Sequence, residues 1–422
     1  MKKEWECLFE KRFCIDSRNV EPGCVFVAIR GSKHDGHDFV KEALSKGASL
    51  AVVERSVGVD KELVVKSTID FLLSLASEKL NSELIIGVTG SSGKTLTKEL
   101  ISKMIPGSFY NPGNMNTEIG LPLSILNGFS GQRVAVLEMG MDKRGDIRKL
   151  CSYFPPKTGV VLNATRQHIG IAGSEEEIFL GKMEMFESSE RCVYNADDER
   201  MRDFVEKLGK TRIGFGMRKG NVILKDWKYE GLKTVAVYEI EGEEALLLLP
   251  GVWHRGHLLD LAAAISTLKI LDLPLELSWV KSFEFLPGRF NLLNLRGIIA
   301  IDDTYNASLE AFEAAIEAML KMRANRRIAV VGPILEQGAF AKDTHEKLSE
   351  ILERIDGVFV FDGAEESIWI RPRNLIYRSE DVGDLARAIS KEITVGDVAL
   401  FKASRGVRIE RVLNAYRRMM GW

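Results

Sequence analysis

The sequence predicts an α/β protein of three domains. Three observations carry that reading. The chain has 422 residues, too many for one core and suited to two to four domains of about 150 residues each. Short apolar runs alternate with helix-period segments in two separate stretches, which implies mostly parallel sheets covered on both faces. At the start of the earlier stretch, between a strand and a helix, lies the glycine-rich loop Gly87-Val88-Thr89-Gly90-Ser91-Ser92-Gly93-Lys94-Thr95.

Taken in order, residues 24–29 (CVFVAI) read as a buried strand, 30–37 as a polar loop, 38–46 as a helix capped by Gly47, and 50–53 as a strand. The first block, residues 1–82, is thus a small α/β domain with one helix. Residues 84–88 form the strand that enters the glycine-rich loop, and Leu96, Leu100, Ile101, Met104 and Ile105 fall on one face of the helix that leaves it. Strands at 134–137 and 159–162 and helices at 178–187 and 258–271 follow, with a β-meander over 211–250. Pro287-Gly288 closes this central domain, residues 83–288. Residues 289–422 repeat the alternation as strands at 298–301, 327–331, 358–361 and 398–401 and helices at 309–322, 344–355, 382–391 and 407–420. That is a doubly wound, Rossmann-like domain.

Composition narrows the function classes. With 45% hydrophobic and 28% charged residues the chain is globular. A net charge of −2 excludes the basic excess of a dedicated nucleic-acid binder. Cys7, Cys14, Cys24, Cys151 and Cys192 are scattered and form no C-x-x-C pair, which fits free thiols in a reducing compartment. The opening MKKEWECLFEKRF is charged throughout, where a secretion signal needs an apolar stretch. No apolar run approaches the ~18–20 residues of a membrane span. A cytoplasmic chain without membrane insertion is expected.

The glycine-rich loop is the strongest chemical signal. Backbone N–H groups of such a loop face phosphate oxygens, and the helix N-terminus adds partial positive charge. Lys94 can reach the terminal phosphates and the Thr95 hydroxyl can ligate Mg²⁺. The match departs from the strict G-x-x-x-x-G-K-S/T pattern: Val88 stands five before Gly93, and Gly90 makes a shorter G-x-x-G-K-T. Glu138 ends an apolar strand, where ligands of open sheets collect, although a solvated strand-end acid reads the same way. Thr117, in a loop of turn formers, offers another hydroxyl. From spacing alone His168 reads as structural or exposed, and Lys182 as a solvated helical cation.

Together these strings resemble the ATP-dependent Mur ligases of peptidoglycan synthesis over essentially the whole chain. Asp16-Ser17-Arg18, Pro22-Gly23, Val25-Phe26-Val27-Ala28 and Asp35-Gly36-His37-Asp38-Phe39 look like that family's uridine-nucleotide domain. Thr89-Gly90-Ser91-Ser92-Gly93-Lys94-Thr95 matches its phosphate loop, and Glu138-Met139-Gly140 a following segment. Asp302-Asp303-Thr304-Tyr305-Asn306-Ala307-Ser308 and Lys402-Ala403-Ser404-Arg405-Gly406 are similar to the branch that adds D-alanyl-D-alanine to UDP-MurNAc-tripeptide. Two strings depart. The family's H-N-x-x-N reads Gly256-His257-Leu258-Leu259-Asp260 here, and Pro333 stands where an acid is usual.

The resemblance implies a nucleotide-sugar domain, a P-loop ATPase domain and a Rossmann-like domain that binds the incoming dipeptide. It implies ATP on residues 89–95 with Arg289, Asp303 and Asn306. It implies two Mg²⁺ sites built from Thr95, Thr117, Glu138, His168 and a Lys182 carbamylated by CO₂. Ser17, Arg18, Asn116, Thr117, Tyr305, Asn306, Ser404 and Arg405 would then meet the two substrates, and Lys94, Lys182, His168 and Arg289 would carry the chemistry. A monomer is expected. The rivals are a ligase that adds the third amino acid, a folylpolyglutamate synthase, and a P-loop regulatory ATPase.

Overall fold

The structure, a computed structural model, describes residues 6–31, 34–165, 169–275 and 277–421. It contains three α/β bodies, each with its own sheet. The first has four parallel strands in sequential order, β1 (Phe13–Cys14), β2 (Val25–Val27), β3 (Leu50–Val53) and β4 (Glu62–Val64). The helix expected at 38–46 starts as a 3-10 turn, Gly36–Phe39, because the Asp35 carboxylate caps the His37 amide at 3.0 Å. It becomes α1 over Val40–Ser45.

One correction falls here: this body has a second helix, α2 (Thr68–Lys79), capped by Ser67. Its Leu72, Leu73, Leu75 and Ala76 are buried in a core shared with the second body.

The second body runs β5 (Leu84–Thr89), α3 (Lys94–Met104), β6 (Phe109–Tyr110), α4 (Gly120–Gly128), β7 (Val134–Glu138), α5 (Asp146–Tyr153) and β8 (Thr158–Val161). It continues through α6 (Ile169–Ala172), α7 (Glu175–Ser188), β9 (Arg191–Asn195), α8 (Glu199–Leu208), β10 (Thr211–Gly216), β11 (Val222–Glu230), β12 (Lys233–Ile240), β13 (Glu243–Pro250) and α9 (Arg255–Ile270). The nine strands lie in the order β13-β12-β11-β10-β9-β8-β5-β7-β6. The meander expected over 211–250 is confined to β11–β13, because β10 pairs parallel with β9, Thr211 opposite Arg191.

α2 packs on α4, and polar bonds fix the two bodies together. Lys79 Nζ donates to the carbonyls of Phe9 and Leu126, at 2.9 and 2.7 Å. The Asn127 amide bonds both backbone groups of Phe13, at 2.8 and 2.9 Å, and so satisfies the open edge of β1.

The third body contains β14 (Asn291–Leu295), β15 (Ile298–Asp302), α10 (Leu309–Lys321), β16 (Arg327–Val331), α11 (Ala341–Leu352), β17 (Gly357–Phe361), β18 (Leu375–Ser379), α12 (Val382–Glu392), β19 (Val398–Lys402) and α13 (Glu410–Met419). The order is β14-β15-β19-β16-β17-β18, with only β14 antiparallel to its neighbour. The last strand therefore enters between β15 and β16. The loops after those three strands lie together at the carboxyl ends, where open sheets bind ligands. The final helix starts later than expected because Arg408 has φ 57°, which a continuing α-helix excludes.

Second and third bodies meet along a seam. Lys321 Nζ lies 4.1 Å from the centre of the Trp227 ring, and Arg255 pairs with Glu317 at 3.3 Å. The Gly170 amide donates to the Glu336 carbonyl at 3.0 Å. A Cβ on Gly170 would stand 2.8 Å from that oxygen, in contact with backbone that cannot rotate away. Gly170→Ala should therefore wedge the seam open, an overpacking cost of about 1–3 kcal/mol. Solution scattering should show a larger radius of gyration at an unchanged melting temperature. An unaltered radius would mean that the contact does not hold the bodies together.

Candidate functional site

The phosphate loop sits where β5 gives way to α3. Gly93, the residue that caps α3, has φ 84°, and a Cβ there would fall 2.1 Å from Asp260 Oδ1. Both facts require glycine. The loop is stitched to the segment after β8. Asn163 accepts from the amides of Ser91 (3.1 Å, backbone) and Ser92 (2.9 Å, side chain), and Ser91 Oγ bonds the Thr165 backbone. Lys94 Nζ donates to the carbonyls of Gly90 and Ser91, at 2.7 and 3.0 Å. Burial holds its pKa below the usual value, against the pull of Glu138. Thr95 Oγ1 accepts from Arg289 Nη2 at 3.1 Å, a bond from the third body to the loop.

Glu138 ends β7 inside the protein, not in solvent. Its carboxylate accepts from Asn116 Nδ2 at 2.7 Å and faces Lys98 Nζ at 3.3 Å. Lys98 also donates to the carbonyls of Asn111 and Gly113, at 2.6 and 3.1 Å. A buried ammonium needs that many acceptors. Sequence reading missed this residue; its signal was the four-residue spacing from Lys94, which puts both on one helix face. Asn111 bonds the Met115 carbonyl and both backbone groups of Glu138, which pins the loop carrying Asn116 and Thr117 to the end of β7.

Lys182 on α7 is 4% exposed, which rules out a solvated cation. Burial, and then the charge of Lys94, lower its pKa well below the usual lysine value. α7 comes this close to the sheet because β5 and β8 carry Gly87 and Gly159. A Cβ on either would lie 2.6 Å from a side chain of the helix region, Met185 Sδ and Ser189 Oγ respectively. His168 lies outside the described residues.

On the third body Asp303 Oδ2 accepts from Lys402 Nζ at 2.6 Å, and Lys402 also bonds the Asn306 carbonyl at 3.0 Å. Burial raises the Asp303 pKa and Lys402 opposes the shift. Lys402 too was missed, although it opens the string that contains Ser404 and Arg405. Ser404 Oγ accepts from the Leu335 amide at 3.0 Å. The Arg289 guanidinium lies 4.0 Å from the Tyr305 ring centre.

Where the family strings depart, His257 stacks on Phe285 with centroids 4.5 Å apart, and His254 lies 3.5 Å from His257. Burial keeps both imidazoles neutral, pushing His254 down to about 3 and His257 well below its usual value. Burial also pushes Asp260 up to about 7, against the pull of Arg289.

One cleft of about 1120 Å³ joins these groups: Ser91 to Thr95, Asn116, Thr117, Glu138, His257, Asp260, Arg289, Asp303, Tyr305 and Asn306 all line it. A smaller depression of about 230 Å³ adjoins it, lined by Asn306, Thr344, Ser404 and Arg405. Ser17 and Arg18 line neither; Arg18 is exposed and paired with Asp16 at 2.7 Å. Thr89 is fully buried below the loop. The cleft can do one thing well: hold a polyphosphate between a helix N-terminus and cations from two bodies.

Family models match in three consecutive stretches. They are described as "Mur ligase family, catalytic domain" over residues 12–78, "Mur ligase middle domain" over 88–252, and "Mur ligase, glutamate ligase domain" over 288–405. The chain is 29% identical over 425 residues to the UDP-N-acetylmuramoyl-tripeptide--D-alanyl-D-alanine ligase of Treponema pallidum, covering 94% of this chain and 92% of that one. It is 28% identical over 433 residues to the Bacillus subtilis protein of the same name, covering 94% and 91%. Among solved structures, the MurF ligase of Thermotoga maritima in complex with ADP superposes with a TM-score of 0.93 at 41% identity, covering 98% of this chain and 99% of that one.

Asp260 gives a pH test. Its folded pKa of about 7 lies above the ordinary 3.8, so the folded state favours the protonated form. That stabilisation is complete below pH ~4 and is lost as pH rises to ~7. Asp260→Asn should therefore raise the melting temperature at pH 8 and leave it unchanged near pH 4. The same shift at both pH values would show that the carboxyl titrates normally.

Proposed function

The chain belongs to the Mur ligase family, and we propose that it joins D-alanyl-D-alanine to UDP-MurNAc-tripeptide with hydrolysis of ATP to ADP and phosphate. The observation that carries this reading is the bond from Arg289 to Thr95. It ties a phosphate loop on one body to the dipeptide-type 302–308 string on the next, across a single cleft. In this reading residues 1–82 bind the nucleotide sugar, 83–288 bind ATP, and 289–422 deliver the dipeptide. No helix among the described residues is long and apolar enough to cross a membrane, and in this reading ATP and the UDP-linked tripeptide are met in the cytoplasm.

The chemistry has two steps. A carboxylate oxygen of the tripeptide attacks the γ-phosphorus of ATP, the bond to the bridging oxygen breaks, and an acyl phosphate and ADP result. The dipeptide amine then attacks the acyl carbon, and the tetrahedral intermediate loses a proton and phosphate to leave an amide. Both first-step reactants are anions, so cation density around them decides the rate. Lys94, Arg289 and the N-terminal amides of α3 supply it from this chain. Lys94 must leave the carbonyls of Gly90 and Ser91 to do so, a short swing on a flexible stem. Tyr305, Asn306, Ser404 and Arg405 present the dipeptide, Asp303 and Asn306 meet the nucleotide, and Asn116 and Thr117 face the activated carboxyl. Ser17 and Arg18 meet the uridine nucleotide.

The family implies two Mg²⁺ ions. Among the described residues no cluster of three or more His, Cys, Asp and Glu exists. The donors are the Thr95 and Thr117 hydroxyls and Glu138, all hard oxygens, and Mg²⁺ keeps several waters of its own. The set fits if Lys182 carries a carbamate, since an ammonium would repel the metal. Burial favours that change, because the lowered pKa leaves more of the neutral amine that attacks CO₂. His168 would complete the second site. Bound metal neutralises phosphate charge.

Rapid release of ADP should require both UDP-MurNAc-tripeptide and D-alanyl-D-alanine. ADP release without either acceptor would point to a regulatory ATPase, and a single free amino acid as the better acceptor would point to a ligase for the third residue. For Lys182, ¹³CO₂ should yield a carbamate carbon signal in the wild type that Lys182→Arg lacks. Lys182→Ala should lose activity on the order of 100-fold or more, with partial rescue by a short-chain carboxylic acid. A fully active Lys182→Arg would remove the carbamate from the mechanism.

A further inference from the structure

Arg289, just before β14, and Arg405, in the 3-10 turn after β19, approach the same aromatic ring. The Arg289 guanidinium is 4.0 Å from the Tyr305 ring centre, and that of Arg405 is 5.7 Å away. Both distances are within the reach of a cation–π contact. The backbone enforces the first. The Tyr305 amide donates to the Gly288 carbonyl at 2.9 Å. Gly288 has φ 75°, and a Cβ on it would lie 3.2 Å from Thr304 Oγ1 and from the Tyr305 nitrogen. Thr304 Oγ1 in turn donates to Asp302 Oδ1 at 2.6 Å, which fixes the loop. The turn that launches Arg289 toward Thr95 is thus clasped to the residue whose ring lies beside its guanidinium.

We propose that Tyr305 is a positioning residue that aligns the phosphate-facing Arg289 with the Arg405 loop, so that the phosphoryl and dipeptide halves of the site come into place together. The proposal rests on the ligase reading above. The choice of an aromatic ring has a physical reason. A carboxylate beside Arg289 would hold it more strongly but would cancel the charge that the phosphate needs. A ring face holds a weakly hydrated guanidinium and leaves its charge and outer N–H groups free. It also offsets the repulsion between two arginines that approach one ring. On this account the ring matters and the hydroxyl does not.

The test compares Tyr305→Phe, Tyr305→Leu and Tyr305→Met, alone and in an Arg289→Gln background, with amide product and ADP measured separately. Wild-type protein that forms amide from the two substrates secures the ligase reading first, so its failure is seen apart from that of Tyr305. Tyr305→Phe, which keeps the ring, should lose clearly less kcat than Tyr305→Leu or Tyr305→Met. Tyr305→Leu and Tyr305→Met should lower kcat on the order of tenfold and raise the dipeptide KM several-fold. In the Arg289→Gln background the kcat effect of either should vanish, because the group being aligned is gone. Met retains apolar bulk without a ring, so a folded Tyr305→Met decides the matter if Tyr305→Leu fails to fold. An equal kcat loss with and without Arg289, or a Tyr305→Phe as impaired as Tyr305→Leu, would overturn the proposal.

Discussion

Three basic side chains, Lys94, Arg289 and Lys402, line one cleft and two more, Lys98 and Lys182, are buried outside its lining, and like charges drawn inward repel unless each finds its own acceptor. Four of them do. Lys94 rests on two loop carbonyls, and Lys98 on two carbonyls and Glu138. Lys402 is paired with Asp303, and Arg289 with the Thr95 hydroxyl and the Tyr305 ring. Lys182 loses its proton more easily, through burial first and the charge of Lys94 second. Much of the surrounding architecture follows from keeping these charges close but not neutralised.

Close approach of backbone to side chain does the placing. Gly87 and Gly159 let α7 settle on the sheet, and that contact carries Lys182 inward. Gly93 lets Asp260 lie against the phosphate loop, where a larger residue would collide. Glycine serves here by the absence of a side chain, and at Gly93 also by its tolerance of positive φ. A buried carboxyl beside a phosphate loop opposes anion binding when charged, and burial, which pushes Asp260 up to about 7, weakens that opposition.

The three bodies differ in how they are joined. The first shares a core with the second through α2 and α4, so the two form a continuous apolar contact. Second and third meet through polar contacts such as the hydrogen bonds at Thr95 and Gly170, the Lys321 cation over Trp227 and the ion pair at Arg255, and through Val252 and Tyr229 of the second body, which pack on the core of the third. Contacts of that kind, with little shared core, suit bodies that must part to admit substrates and close for chemistry.

Local signals were enough for the phosphate loop and the strand–helix alternation. Glycine positions, capping residues and hydrophobic period are properties of neighbours in the chain, so residues 84–104 and 298–331 could be read directly. The family strings added Arg289, Glu138 and the 302–308 loop. What only the tertiary structure decided has a common character. α2 went unread because its apolar face is covered by α4, about 50 residues away. Lys98 and Lys402 owe their roles to Glu138 and Asp303, 40 and 99 residues distant, which the fold brings within bonding range. The Tyr305 ring beside two arginines and the Asp260 carboxyl of α9 against Gly93 are likewise meetings of segments remote in sequence. Their pKa values and roles are set by burial and by partners remote in sequence, and no local period or propensity records such distances.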